Sequence, residues 1–285
     1  MFSSFGRSWQ LVKASWAVLQ SDKELVIFPI VSAITMIAVS IIFLLPVAAV
    51  LGFFSFSIGG DVGEFIGYAM LFIYYLVAYT IGVYFNVALI GAAMIRLDGG
   101  DPTLSDGFRI ANERLTTIIG YAAISATVGM ILNWLRDRGI LGQIASSLVG
   151  LAWNLATFLA VPILVAQDVG PIEAVKRSAS LLKQTWGEQI TGGFSMSLIF
   201  TVIYLAVIFG GGCLLFGLAA AMESSLIAGL ALLIIIIAVA VVATIHGALG
   251  GIFQAALYRF AETGVAPDNF DIDLIKGAFK PKRKR

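Results

Sequence analysis

Long apolar runs separated by short polar turns restrict this chain to folds that sit in lipid. A membrane-crossing helix needs roughly 20 apolar residues, and six runs reach that length, at 25–56, 65–95, 116–135, 144–166, 190–222 and 226–258. The chain is 59% hydrophobic and only 12% charged, whereas soluble domains carry about 25% charged residues. The sequence therefore predicts an all-α membrane protein with six transmembrane helices.

A ten-residue phrase occurs once before the first apolar run and again before the fifth. Residues 7–16 and 177–186 share the pattern R-S-x-x-L-[LV]-K-x-[ST]-W, at an offset of 170 (177 − 7). Starting two residues before each copy, at Phe5 and Val175, apolar residues recur at i, i+4, i+7 and i+11, which is the spacing of one face of an amphipathic helix. The same spacing, without the Arg and Lys of the phrase, recurs at 103–115. We expect amphipathic elbow helices near 3–20, 103–115 and 171–186, lying in the membrane interface.

Each predicted elbow precedes a pair of apolar runs, so the chain is predicted to hold three repeats of one elbow helix plus one transmembrane hairpin. These repeats form a single transmembrane domain at 1–262, followed by a polar, basic tail at 263–285. Tryptophan favours the boundary between lipid and water, and lysine can hold its charged end at the head groups while its stem stays in the apolar layer. The residues predicted to lie at the membrane interface are Trp9, Lys13, Trp16, Lys183 and Trp186.

The basic residues predict the orientation of the chain. All but two of the 18 Lys and Arg residues lie on the side shared by the termini and the elbows, and the exceptions are Arg136 and Arg138. Because loops rich in Lys and Arg stay in the cytoplasm, we expect a multi-pass protein of a prokaryotic cytoplasmic (inner) membrane with both termini cytoplasmic. The basic tail is either solvated or bound to anionic head groups. The net charge of +1 gives no reason to expect nucleic-acid binding.

The end of the last apolar run carries a specific resemblance. Its letters are Ala255-Ala256-Leu257-Tyr258-Arg259-Phe260-Ala261, followed by Gly264, Phe270, Asp271, Leu274 and Ala278-Phe279. This segment resembles the C-terminal end of the proteins in an uncharacterised family of prokaryotic six-span membrane proteins. The layout of the whole chain is also distantly similar to the membrane domain fused to some glycerophosphodiester phosphodiesterases. The soluble phosphodiesterase domain is absent, so the resemblance supplies no functional residues.

One polar residue lies in the inner half of each even-numbered apolar run: Asn86, Asn154 and His246. At about 1.5 Å per residue, each lies about 15 to 20 Å from the polar end of its run. Polar groups at such depth usually face the bundle interior, so we predict a polar cavity formed by these three residues and Gln254, with His246 as its only group that titrates near neutral pH. The alternative is that each makes an ordinary hydrogen bond between helices.

Small residues recur every four positions in the last run. Small side chains let two helix backbones approach closely, so we predict helix-packing residues here, either within the protomer or at a dimer face. These residues are Ala243, Gly247, Gly251 and Ala255. Membrane lipids are the expected partners, together with either a second copy of the chain or a partner membrane subunit.

No motif in the sequence supplies a catalytic centre. There is no zinc-protease helix, no P-loop and no Gly-x-Ser-x-Gly turn, and the chain has one histidine and one cysteine. We predict no enzyme activity, no catalytic or metal-binding residues and no cofactor; an intramembrane enzyme that needs only carboxylates is the remaining alternative. Two non-enzymatic functions are left open. The protein either lets a small solute or ion permeate, or handles lipid; alternatively it is an accessory or scaffold subunit that binds protein partners.

Overall fold

A computed structural model describes residues 2–57, 61–186 and 195–278, and every regular element in them is a helix. Six helical spans among these residues are long and apolar enough to cross a membrane, which confirms the predicted all-α membrane fold. The basic end of the predicted tail, 279–285, and the start of the fifth predicted run, 190–194, lie outside the described residues. The helices are α1 (Phe2–Ser21), a 3₁₀ turn (Lys23–Val26), α2 (Ile27–Ser57), α3 (Asp61–Leu97), α4 (Leu104–Glu113), α5 (Leu115–Arg136), α6 (Gly139–Thr157), α7 (Ala160–Ala166), α8 (Pro171–Trp186), α9 (Ser195–Leu205), α10 (Gly212–Ala221), α11 (Ser225–Thr263) and α12 (Ile272–Lys276).

Two of the spans are interrupted. α6 and α7 are separated at Phe158 and Leu159, although the sequence predicts one continuous helix there. The cause is Pro162, because a proline has no N–H to donate and its ring clashes with the carbonyl four residues earlier, at Phe158. The fifth span passes through a π-helical segment, Ala206–Gly211, between α9 and α10.

Burial divides the bundle into two zones along its length. α11 has 39 residues, about 58 Å at 1.5 Å per residue, whereas the hydrocarbon core of a bilayer is about 30 Å thick. Its first part, 226–241, exposes large apolar side chains, and 248–260 is buried almost throughout. Exposed apolar side chains also lie on 30–45 of α2 and 115–134 of α5. We call these exposed stretches the lipid-facing zone, and the buried part around α1, α4, α8 and the end of α11 the elbow layer.

Each elbow helix packs against a different pair of spans. α4 lies along α3, where Ile110 covers Gly91, and its Gly107 contacts Phe28 of α2. α8 contacts α5, α6 and α7, and α1 contacts α9 and α11. The elbows therefore do not lie free on the bilayer surface, because one face of each is part of the protein core.

The second elbow begins at a capping box. The Thr103 hydroxyl accepts a hydrogen bond from the Asp106 backbone N–H at 3.3 Å, and the Asp106 carboxylate accepts one from the Thr103 backbone N–H at 3.0 Å. That backbone hydrogen bond, together with one from the Thr103 hydroxyl, holds the pKa of Asp106 below its usual value. The stability that this carboxylate adds is present near neutral pH and is lost as acid protonates it.

Ion pairs connect the span ends in the elbow layer. Arg259, near the end of α11, pairs with Asp98, which follows α3. Arg114, between α4 and α5, pairs with Asp168, which follows α7. Exposed pairs of this kind contribute only about 0 to 1 kcal/mol each, so the buried apolar contacts of the elbow layer contribute more to stability than the charges do.

The serine of the repeated phrase closes the break between α6 and α7. Ser178 is fully buried, and its hydroxyl accepts a hydrogen bond from the backbone N–H of Leu159 at 2.9 Å. The interruption of the helix leaves that N–H without an intrahelical partner, and a buried N–H left unpaired costs about 1–3 kcal/mol. Through this hydrogen bond, the second copy of the repeated phrase connects the third elbow to the fourth span.

Replacing Ser178 with alanine is expected to lower the free energy of unfolding by about 1–3 kcal/mol, because the buried Leu159 N–H loses its acceptor. The measurement is the thermal unfolding midpoint of the purified protein in detergent. Ser180→Ala is the matched control, since Ser180 is exposed and, among the described residues, its hydroxyl hydrogen-bonds to Gln184. Equal midpoints for the two variants would show that the Ser178 hydrogen bond adds no stability.

Candidate functional site

A polar cleft of about 410 Å³ lies between α2, α3 and α11, and we call it the first cleft. Three of the four residues predicted to form a polar cavity line it: Asn86 of α3 and His246 and Gln254 of α11. Gly82 and Gly250 also line it, and a Cβ added at either would meet no described atom within 4 Å. Glycine at these positions therefore leaves the cleft open.

His246 is positioned by aromatic rings rather than by hydrogen bonds. Its imidazole stacks on Phe200 of α9, with centroids 4.2 Å apart and planes inclined by 14°, and meets Tyr204 at 6.1 Å in an edge contact. Among the described residues, none hydrogen-bonds to its ring nitrogens. Both nitrogens are therefore available to a molecule in the first cleft.

Gln254 adds an unpaired acceptor to the same cleft. Its side-chain carbonyl oxygen is buried and has no hydrogen-bond partner among the residues that the structure describes. Because an unsatisfied buried polar atom costs about 1–3 kcal/mol, a ligand or water that donates to this oxygen would be stabilised. The first cleft thus offers an amide oxygen and an imidazole where α11 passes from the lipid-facing zone into the elbow layer.

A second polar cleft, of about 570 Å³, lies between α3, α5, α6 and α7. Asn154 lines this second cleft and not the first, so the structure separates it from His246 and Gln254. The polar residues along it are Tyr79, Asn86, Tyr121, Ser125, Arg136, Ser146, Ser147, Asn154 and Thr157.

Two hydroxyl groups of the second cleft donate their protons to backbone carbonyls. Ser146 donates its hydroxyl proton to the Leu132 carbonyl, and Thr157 donates to the Trp153 carbonyl, both at 2.8 Å. Since a hydroxyl has one proton and two lone pairs, these oxygens keep acceptor capacity for a guest. Of the described residues along the two clefts, Arg136 alone is charged.

Among the described residues, Asn86 alone lines both clefts. The second cleft follows α5 for about 22 Å between Tyr121 and Arg136, and the first follows α11 for about 12 Å between His246 and Gln254, at 1.5 Å per residue. Along α3 the two clefts overlap, since the first is lined from Gly82 to Leu89 and the second from Tyr79 to Asn86. The two clefts therefore meet beside Asn86.

The profile of a protein family described as a family of unknown function (DUF6159) matches residues 65–268. The chain belongs to this family. Searches of curated proteins and of solved structures return no match. The matched region contains every residue that lines the second cleft, and all those of the first except Pro29 and Ser32. The predicted membership of an uncharacterised family is thus confirmed, while the distant similarity to the phosphodiesterase membrane domain stays a prediction.

In this DUF6159 member, most of the second cleft was missed by the sequence analysis. A detectable signal lies in α5, where Tyr121, Ser125 and Gly129 recur at four-residue intervals and therefore share one helix face. The run also contains many apolar residues, which hid this small, polar face.

Among residues 2–57, 61–186 and 195–278, no group of three or more His, Cys, Asp and Glu side chains could hold a metal ion.

The predicted interface residues differ in their surroundings. Trp9 and Trp16 are 42% and 40% exposed, and Lys13 and Lys183 are exposed as well. Trp186 is only 3% exposed, and its indole N–H donates to the Ile275 carbonyl at 3.1 Å. Trp186 therefore lies inside the protein, where the segment around α12 covers it, and its place at the membrane interface stays a prediction.

The small-residue stripe of α11 faces other helices of the same chain. A Cβ on Gly251 would lie 2.5 Å from the Leu89 side chain of α3, and one on Gly247 would lie 3.5 Å from Pro29 of α2. Ala255 is fully buried, and Ala243 is exposed and lines the first cleft. The close approach of α11 to α3 therefore depends on Gly251.

Proposed function

We propose that this protein is a non-enzymatic membrane protein that lets a small polar solute cross the bilayer along the two clefts. The observation that carries the proposal is the position of Asn86, which lines both of them. A polar solute loses hydrogen bonds to water when it enters hydrocarbon. Amide, hydroxyl and imidazole groups along the clefts replace those bonds and so lower the barrier to crossing.

The chemistry of the lining favours an uncharged solute that donates hydrogen bonds. The Gln254 oxygen is an unpaired acceptor, and the hydroxyls of Ser146 and Thr157 have already given their protons to backbone carbonyls. No described carboxylate lines either cleft, which speaks against coupling to protons or cations because such transport usually uses intramembrane acids.

Passage of lipid head groups is a second candidate, favoured by one observation. Ser147 and Asn154 line the second cleft and are also exposed on α6, beside the exposed apolar residues Leu148 and Leu151. Polar side chains rarely face lipid unless they have a polar partner. A cleft open on that side would let a head group travel along it while the acyl chains remain in the bilayer.

We also propose that three elbow and hairpin repeats build the bundle in cyclic order. The second elbow, α4, packs on the first hairpin; the third, α8, packs on the second; and the first, α1, packs on the third. Each elbow thus lies on the hairpin that precedes it, and α1 closes the ring. The elbow layer then faces the cytoplasm of a prokaryotic cell, with Arg136 and Arg138 outside, as the basic residues predict.

Reconstitution into liposomes tests the proposed function. Vesicles with the protein are expected to equilibrate urea or glycerol several-fold faster than protein-free vesicles, as measured by stopped-flow light scattering, with no matching rise in potassium flux. Scrambling of a fluorescent phospholipid without solute flux would favour the second candidate. If neither rate exceeds that of protein-free vesicles, both candidates fail.

A further inference from the structure

An apolar groove of about 400 Å³ runs along the first elbow, between α1, α9 and α11. Trp9 and Trp16 form its α1 side, and Ile203 of α9 with Val242 and Ile245 of α11 form the opposite side. Of the described residues that line it, Lys13 alone is charged. We call this the α1 groove. Its lining is suited to a hydrocarbon chain rather than to a polar solute.

Lys13 is free to meet an anion at the edge of the groove. Its ammonium lies 6.0 Å from the centre of the Trp9 ring, within the range of a cation–π contact. The side chain is exposed, and no described carboxylate forms an ion pair with it. The Trp9 contact holds the ammonium beside the groove without neutralising its charge.

The height of the groove in the bundle matches the inner surface of a bilayer. It meets α11 at Val242, Ile245 and Leu249, where that helix passes from the exposed stretch 226–241 to the buried stretch 248–260. Exposed Trp9 and Trp16 lie on the same side, and tryptophan is enriched at the level of the head groups. Lys13 therefore lies at head-group height with the groove beside it.

The second copy of the phrase provides an internal comparison. Lys183 is the counterpart of Lys13 (13 + 170) and is likewise exposed. Its neighbour Trp186, the counterpart of Trp16, is covered by Ile275 and lies 6.3 Å from the Phe260 ring. In the third elbow, protein side chains and backbone fill the space that is open beside the first elbow. The open groove is therefore found beside α1 and does not follow from the repeated phrase itself.

We propose that the α1 groove binds one anionic phospholipid of the inner leaflet. An acyl chain lies between the two tryptophans and the side chains of α9 and α11, and the phosphate pairs with the Lys13 ammonium. Burial of the chain supplies affinity, and the charge selects anionic over zwitterionic head groups. This site is separate from both polar clefts and does not depend on the proposed function.

The test counts phospholipids retained by the whole protein. The protein is purified from nanodiscs that contain equal amounts of phosphatidylglycerol and phosphatidylcholine. Native mass spectrometry then measures the fraction of protein that retains one phosphatidylglycerol and the fraction that retains one phosphatidylcholine. Wild type is expected to retain phosphatidylglycerol in preference. Lys13→Gln is expected to lower that retention about fivefold, the effect of about one basic residue near an anionic surface, while Lys183→Gln leaves it unchanged.

A further variant tests the apolar lining of the groove separately from the charge of Lys13. Val242→Phe fills the groove without altering Lys13, and it is expected to lower retention of both lipids. Three results overturn the proposal: unchanged phosphatidylglycerol retention in Lys13→Gln, an equal loss in Lys183→Gln, or equal retention of phosphatidylcholine by wild type. The second of these would mean that lysines of the elbow layer attract anionic lipid without a defined site.

Discussion

Replacing Gly107 with alanine is expected to displace α4 from the bundle and to destabilise the protein by about 1–3 kcal/mol or more. A Cβ at this position would lie 2.4 Å from Cζ of Phe28 and 2.8 Å from the backbone oxygen of Ala88. Phe28 is 1% exposed and cannot turn aside, and the Ala88 oxygen belongs to the backbone of α3. The second elbow must therefore move as a whole to admit one methyl group.

Thermal unfolding in detergent measures this effect, and Gly217→Ala in α10 is the matched control. A Cβ at Gly217 would meet no described atom within 4 Å, and alanine is about 1 kcal/mol more favourable than glycine inside a helix. The control is thus expected to unfold at the wild-type temperature or above it. If Gly107→Ala unfolded with the control, α4 would not be held against α2 and α3 as the structure describes.

Replacing Asn86 with leucine is expected to reduce solute flux in liposomes at least tenfold while leaving the unfolding temperature nearly unchanged. Leucine has the same number of side-chain heavy atoms but offers no hydrogen bond, so it places an apolar barrier between the two clefts. No described residue hydrogen-bonds to the Asn86 side chain, and its replacement therefore removes no hydrogen bond among the described residues.

Gln143→Leu is the control for this substitution. Gln143 is an exposed amide of α6 that lines neither cleft, so the variant makes the same chemical change away from the proposed route. Its flux should equal that of wild type. Wild-type flux in Asn86→Leu, measured at equal protein density, would remove Asn86 from the route and with it the link between the clefts.

The helices of this protein follow closely from its sequence because their signals are local. The length of each apolar run predicts the spans, and the helical spacing i, i+4, i+7, i+11 predicts the elbows; the predicted third elbow, 171–186, has the bounds of α8 (Pro171–Trp186). The break at Phe158 also has a local signal in Pro162, which the sequence analysis did not use. Local patterns decide where a helix begins, ends or bends.

The sequence does not predict whether an apolar helix face contacts lipid or protein, because both are contacted by the same apolar residue types. Trp16 and Trp186 hold equivalent positions in the repeated phrase, yet one is exposed and the other is buried. The difference depends on Ile275, which lies 89 residues further along the chain from Trp186. No local pattern reports a contact at that separation.

The polar residues illustrate the same limit. Asn86, His246 and Gln254 meet in one cleft, but Asn154 lies in another with hydroxyl residues that looked unremarkable in the sequence. The distance from the polar end of the last run, at Arg259, predicts that His246 lies at the same depth as Asn86 and Asn154. α11 is longer than a bilayer is thick and continues into the elbow layer, so depth along the helix is not depth in the membrane.

Cysteine accessibility in liposomes measures whether water reaches both clefts. Cys213 is the only cysteine, so Cys213→Ala gives a clean background. Ser32→Cys in the first cleft and Ser125→Cys in the second are compared with Ile37→Cys and Ile131→Cys, which lie on the same two helices but are 61% and 56% exposed in the lipid-facing zone. Because only the hydrated thiolate reacts, a membrane-impermeant thiol reagent is expected to label the two cleft positions and to spare the two isoleucine positions. Cleft cysteines as unreactive as the lipid-facing ones would contradict the account.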